Sequence, residues 1–177
     1  MSGGIKQQQM KPSAAVEDKE MLWRPSQTSW RYQQITHDVI WEIQELYNSE
    51  CSKWPIRHDS ISYEQLWHYS APFIHNDEIF KWGAWQDDVL KVVVVGWVAD
   101  HPLGGYAATD VILCKTEGGV ALMRLLEDFV EWAKLRDCEF VEIGQETGYK
   151  PEVLQRIGER LGFAYGGVVM VRALRDG

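Results

Sequence analysis

A chain of 177 residues with 45% apolar and 25% charged side chains has the composition of one globular domain with a sizeable core. Its formal net charge of −8 argues against a nucleic-acid binder, which carries a basic stripe, and suits a cationic partner such as an amine, a lysine side chain or a basic protein surface. Three dispersed cysteines, Cys51, Cys114 and Cys138, have no CxxC spacing, which argues against a disulfide framework or a structural zinc site.

No apolar run reaches membrane-spanning length, the longest being the strand-sized "VVVVGWVA", and no secretory leader is visible. The default expectation is a cytoplasmic protein without membrane or nucleic-acid partners. Residues 1–22 are polar and aperiodic and read as a disordered or partner-ordered tail, with residues 23–177 as one domain. Self-association or an assembly contact through the tail is left open.

Residues 29–35 alternate loosely and suggest a first strand. Thr36 is placed as an N-cap, with Asp38 in the first turn of a helix from 37 to about 50. The segment 56–78 is rich in histidine and aromatic residues, and "SYEQLWHYSAP" predicts a short helix ending before Pro72. Strands follow at 79–86, 89–100 and 106–115, with a turn at Asp87-Asp88, as an antiparallel meander. Gly118 and Gly119 then open a helix with Leu122, Leu125, Leu126, Phe129, Val130 and Ala133 on one face. "CEFVEIGQ" (138–145) predicts a strand. Pro151 opens a last helix carrying Val153, Leu154, Ile157 and Leu161, with Gly162 as its C′ residue. "FAYGGVVMVRAL" predicts a closing strand or strand pair.

The order β-α-(α)-β-β-β-α-β-α-β, with "DVILCKTEGGVALMRLL", "EFVEIG" and "PEVLQRIGERLGFAYGGVVMVRAL" in sequence, resembles the GNAT superfamily of acyl-CoA-dependent N-acyltransferases over roughly residues 30–175. The general look of the chain is similar to acetyltransferase-like proteins of bacteriophages, some of which act in the host cytoplasm while others sit in the virion. The implied fold is a mixed α/β sheet, largely antiparallel, with one splayed parallel strand pair and helices on both faces.

The resemblance implies acetyl-CoA as cofactor and an amine-bearing acceptor, a small molecule or a basic protein. The coenzyme A pyrophosphate would lie on backbone amides of Lys115, Gly118, Gly119, Val120 and Ala121 at a helix N-terminus. The pantetheine arm would bond to strand backbone near Leu113 and Cys114, with a main-chain N–H near Leu113 as oxyanion donor. Glu117 beside a phosphate is unfavourable unless its side chain turns away.

For the base, alternation in "EFVEIG" places Glu142 opposite Val141 and Ile143, and burial among apolar residues would raise its pKa. Asp110 and His101 are runners-up. The family often carries a tyrosine acid where this chain has Gly158, and Tyr149 and Tyr165 are substitutes. Trp67, His68 and Phe73, with Trp54 and Tyr63, are candidates for an aromatic acceptor groove. A catalytically weak GNAT-fold protein with a structural or binding role is the competing expectation.

Overall fold

The computed structural model describes residues 30–51, 53, 59–100, 105–144 and 151–164. The tail, Trp54, His101, Tyr149, Tyr165 and the expected closing strand pair lie outside the described residues.

Among the described residues, five strands form one sheet in the order β1-β2-β3-β4-β5: Trp30–Gln34, Phe80–Gln86, Val89–Asp100, Tyr106–Cys114 and Phe140–Val141. The first three pairings are antiparallel, and β4 with β5 is parallel. Helices α1 (Ile40–Cys51) and α2 (Tyr63–Ile74) precede β2 in the chain. Helix α3 (Gly119–Lys134) joins β4 to β5, and α4 (Pro151–Arg160) follows.

The four-valine run is buried on both sides, which is why it shows no polar alternation. Val92 and Val94 face α3, among Leu122, Leu125, Leu126 and Phe129, whereas Val93 joins Ile40, Ile43 and Leu46 of α1. At Gly96, a Cβ would stand 2.2 Å from the Phe129 ring. Glycine there lets α3 lie directly on β3.

The tight turn between β2 and β3 holds both Asp87 (φ 51°) and Asp88 (φ 57°) left-handed, as a two-residue hairpin of the primed type requires. The last helix ends as its sequence indicates: Gly162 has φ +83°, and Phe163 N–H bonds the Gly158 carbonyl.

Three local expectations are corrected. Thr36 makes no side-chain cap, and a single 3₁₀ turn, His37–Val39, leads into α1. Helix α2 continues through Pro72 to Ile74. Proline there removes one N–H only a few residues from the helix end, while His75 N–H still bonds Ala71 O. Strand β5 spans only two residues, because it leaves β4 almost at once.

Candidate active site

The parallel pairing of β4 with β5 is confined to Ala107↔Phe140 and Ala108↔Val141. One of its bonds runs from Glu142 N–H to Ala108 O, 2.8 Å. Beyond it β4 continues for six residues to Cys114, with no β5 pairing among the described residues. The splayed pair is therefore present.

Alternation fixes which backbone groups face the gap. Tyr106 O and Ala108 O accept bonds from the β5 side, at Glu139 and Glu142 N–H. Lys115 N–H bonds Lys91 O on the opposite side, and β3 and β4 keep one register throughout. Asp110, Ile112 and Cys114 hence turn their N–H and C=O groups to the gap. Leu113 pairs with Val93, so its own N–H turns to β3. An N–H near Leu113 that faces the gap therefore belongs to Ile112 or Cys114.

Strand β4 runs into a 3₁₀ turn, Thr116–Gly118, and then α3. The two glycines differ. At Gly118, which is buried, a Cβ would stand 2.6 Å from Val92 Cγ2 and 2.9 Å from Cys114 Sγ, so close packing demands glycine. At Gly119 a Cβ would meet nothing within 4 Å. The N-cap of α3 is Gly118, which has no side chain to cap with, and the first turn holds no acidic residue. A cap is worth about 1 kcal/mol, whereas each large side chain that α3 buries (Leu122, Leu125, Leu126, Phe129) contributes about 1.5–3 kcal/mol. Packing alone can hold this helix with its terminal N–H groups left for an anion.

Glu117 turns away. Its Oε1 is 2.9 Å from Lys91 Nζ on β3, and this hydrogen bond, with a backbone bond behind it, holds the Glu117 carboxyl below the usual glutamate range. Cys114 Sγ–H donates to Lys115 O at 3.1 Å. Burial, then the charges of Glu50 and Glu117, push its thiol up to about 12, so it stays protonated.

Opposite β4, Val141 and Ile143 pack into the α3-side core. Phe140, Glu142 and Gly144 take the other face, toward α1 and α2. Glu142 is exposed, so its expected burial among apolar residues is corrected. Core-facing positions went to Val141 and Ile143. Glu142 nonetheless stands where the strands part, on the same face as half-exposed Val111. The side chain of Asp110 is outside the described atoms.

Gly158 of α4 is buried, and a Cβ there would sit 3.5 Å from Phe163 Cβ and 3.6 Å from Ile143 Cδ1. It therefore closes the α3 side of β5 with no hydroxyl.

Helix α2 is held over the sheet by Asn48, whose side chain bonds Ile61 N–H at 2.9 Å and Ile61 O at 3.2 Å, and by a capping box between Ser62 and Gln65. This sets Phe73 against Trp97 of β3, ring centroids 5.8 Å apart. Trp67 packs into the α1-side core and meets His75 edge-on at 6.2 Å. His68 is exposed against Tyr69 and is not brought to the Phe73–Trp97 pair. Trp97 and Lys91 were missed from sequence. The strand alternation that sets Trp97 on Val95's face was the available signal for the first; nothing local marked the second.

No family model and no curated protein matches the sequence. Solved structures do. A predicted acetyltransferase with acetyl-CoA from Clostridium acetobutylicum is 15% identical, covering 82% of this chain and 96% of its own, with a TM-score of 0.60. AAC(6')-Iy in complex with the bisubstrate analogue CoA-S-monomethyl-acetylneamine is 15% identical, covering 83% and 99%, at 0.59. The glucosamine-6-phosphate N-acetyltransferase of Arabidopsis thaliana is 10% identical, covering 82% and 99%, at 0.60. At such identities the likeness is one of fold: this chain has the mixed α/β fold of the GNAT acetyltransferases.

Proposed function

We propose that the protein is an acetyl-CoA-dependent N-acetyltransferase that moves an acyl group directly to a primary amine of a small molecule or a protein. One observation carries the reading. Beyond Ala108, β4 has no β5 pairing among the described residues, and it leads through the Thr116–Gly118 turn to the N-terminus of α3, so that strand backbone and helix N–H groups are available to one extended ligand. The similar structures named with acetyl-CoA and with a coenzyme A conjugate support the choice of cofactor. The amine-bearing compounds in two of those names support the acceptor class.

When bound, acetyl-CoA supplies the acyl group as a thioester. The N–H groups of Gly119, Val120 and Ala121, with Lys115 beside them, hold its pyrophosphate. Ile112 and Cys114 bond the pantetheine arm as an added strand and offer the donor for the carbonyl oxygen. Glu142 takes the proton from the acceptor ammonium, directly or through a water, which suits its exposed place at the parting of the strands. Phe73, with Trp97 beside it, walls the acceptor side; Trp67 supports it from the core, and His68 stands at the outer rim. Tyr149 and Tyr165 remain the candidates for protonating the leaving thiolate, and the cytoplasm is the proposed compartment, that of the host or the virion if the protein is phage-encoded.

The test is thiol release from acetyl-CoA over a panel of primary amines. Glu142→Gln should lower kcat by about a hundredfold or more, with acetyl-CoA affinity retained. An unchanged kcat rejects Glu142 as the base.

Gly158 favours one second reading. Its position offers no hydroxyl, which suits a GNAT-fold protein that binds or assembles rather than catalyses, such as a virion or host-interaction protein. Retained acetyl-CoA binding without turnover on any amine would support it.

A further inference from the structure

Lys81 of β2 is only 4% exposed, on the α1–α2 face of the sheet. Its Nζ donates to Ile74 O at 2.7 Å and to Asn76 O at 2.9 Å, at the C-terminal end of α2. An ammonium has three donors. The nearest carboxylate, Asp77 Oδ1, is 3.8 Å away on a fully exposed side chain, beyond hydrogen-bond range. Among the described residues, one donor of this buried cation has only the Asp77 carboxylate near it, outside hydrogen-bond range, and leaving that donor unused costs free energy.

That ammonium lines a cavity of about 190 Å³, with Ile35, Thr36, His37, Ile74 and His75 in the wall. In a chain of net charge −8, the polar side chains gathered here are an ammonium, a hydroxyl, an amide, two imidazoles and one carboxylate, that of Asp77. Of the carboxylates, Asp77 stands in the wall on a fully exposed side chain, 3.8 Å from Lys81 Nζ, and Asp38 engages His37 Nε2 at 2.6 Å. A lysine that merely capped α2 would lie with its head in water, as long cationic side chains usually do. This one is inside.

We propose that this cavity is a binding site for a small oxygen anion, a carboxylate or a phosphate group, held by the third donor of Lys81 with Thr36 and His75 beside it. The site is distinct from the β4–β5 groove, lying two strands away, about 10 Å across the sheet. Its occupancy does not depend on the acetyltransferase reading.

The test titrates the ¹⁵N-labelled full chain with sodium phosphate and, separately, with sodium acetate, ionic strength being held constant with sodium chloride. Saturable amide shifts at Ile35–His37, His75 and Lys81 are expected with at least one anion, and the preferred anion identifies the group. Lys81→Met should weaken that binding by about tenfold, the loss of one charged hydrogen bond. Should Lys81→Met lose helix α2 by circular dichroism, the paired change His37→Ala and His75→Ala should still weaken binding severalfold. The proposal is overturned by an absence of saturable shifts at these residues with either anion, by shifts confined to Gly119–Ala121, or by wild-type affinity in the folded variants.

Discussion

Lys91 Nζ lies 2.9 Å from Glu117 Oε1, and the proposed anion site at the turn before α3 depends on that contact. Free, the Glu117 carboxylate would repel a phosphate; paired, it is neutralised and drawn toward β3. Because Lys91 depresses the Glu117 pKa, the pair stabilises the fold above the ordinary glutamate range and loses this contribution as pH falls through the depressed value. Glu117 is half exposed, so the pair is worth about 1 kcal/mol or less. Lys91→Met should therefore cost up to about that much at pH 7 in chemical denaturation, and nothing in acid below the folded-state value. A cost that persists in acid would mean that Lys91 acts through packing instead. At this scale the sequence was only partly legible. Glu117 was visible as a conflict, but its resolution comes from a residue 26 positions earlier that only strand pairing brings near. Glu142 was placed on the correct face and given the wrong burial, because alternation fixes sides and not which side is covered.

The junction of β4, the glycine turn and α3 is the element on which the proposed binding rests, and its two glycines give separate tests of stability and of that binding. Gly118→Ala forces a Cβ into Val92 and Cys114 and should destabilise by about 1–3 kcal/mol. Gly119→Ala meets open space inside a helix and should be neutral or stabilising by up to about 1 kcal/mol, while weakening acetyl-CoA binding. Denaturant midpoints and binding titrations on both variants check the pair; a destabilised Gly119→Ala would contradict the packing described. At the other end of α3, Cys138 N–H bonds Ala133 O and Asp137 sits at φ 54°, where glycine is the usual residue. Asp137→Gly should raise stability by about 0.5–1 kcal/mol, read as a higher denaturant midpoint with unchanged slope. Helices with a clear apolar stripe were legible in the sequence, as were the meander and the Gly162 cap. The length of α2 was not, since proline near a helix end removes one N–H without stopping the chain. Nor was the shortness of β5, because "EFVEIG" has strand composition whether or not a partner runs beside it.

Across the whole molecule, one sheet carries α1 on one face and α3 on the other, and its parallel strand pair opens toward the glycine turn. The order of the blocks was enough to anticipate this architecture, because each block has its own periodicity and short connections leave few ways to join them. The placing of the α2 aromatics was not legible, since Trp67 goes to the core and Phe73 to Trp97 only once α2 is docked. The most direct measurement is a calorimetric titration of the full chain with acetyl-CoA, alongside Gly119→Trp. The groove assignment predicts saturable one-to-one binding to the wild type and its loss in a Gly119→Trp variant that keeps its circular dichroism spectrum. No heat with the wild type, or undiminished binding in the folded variant, would contradict it.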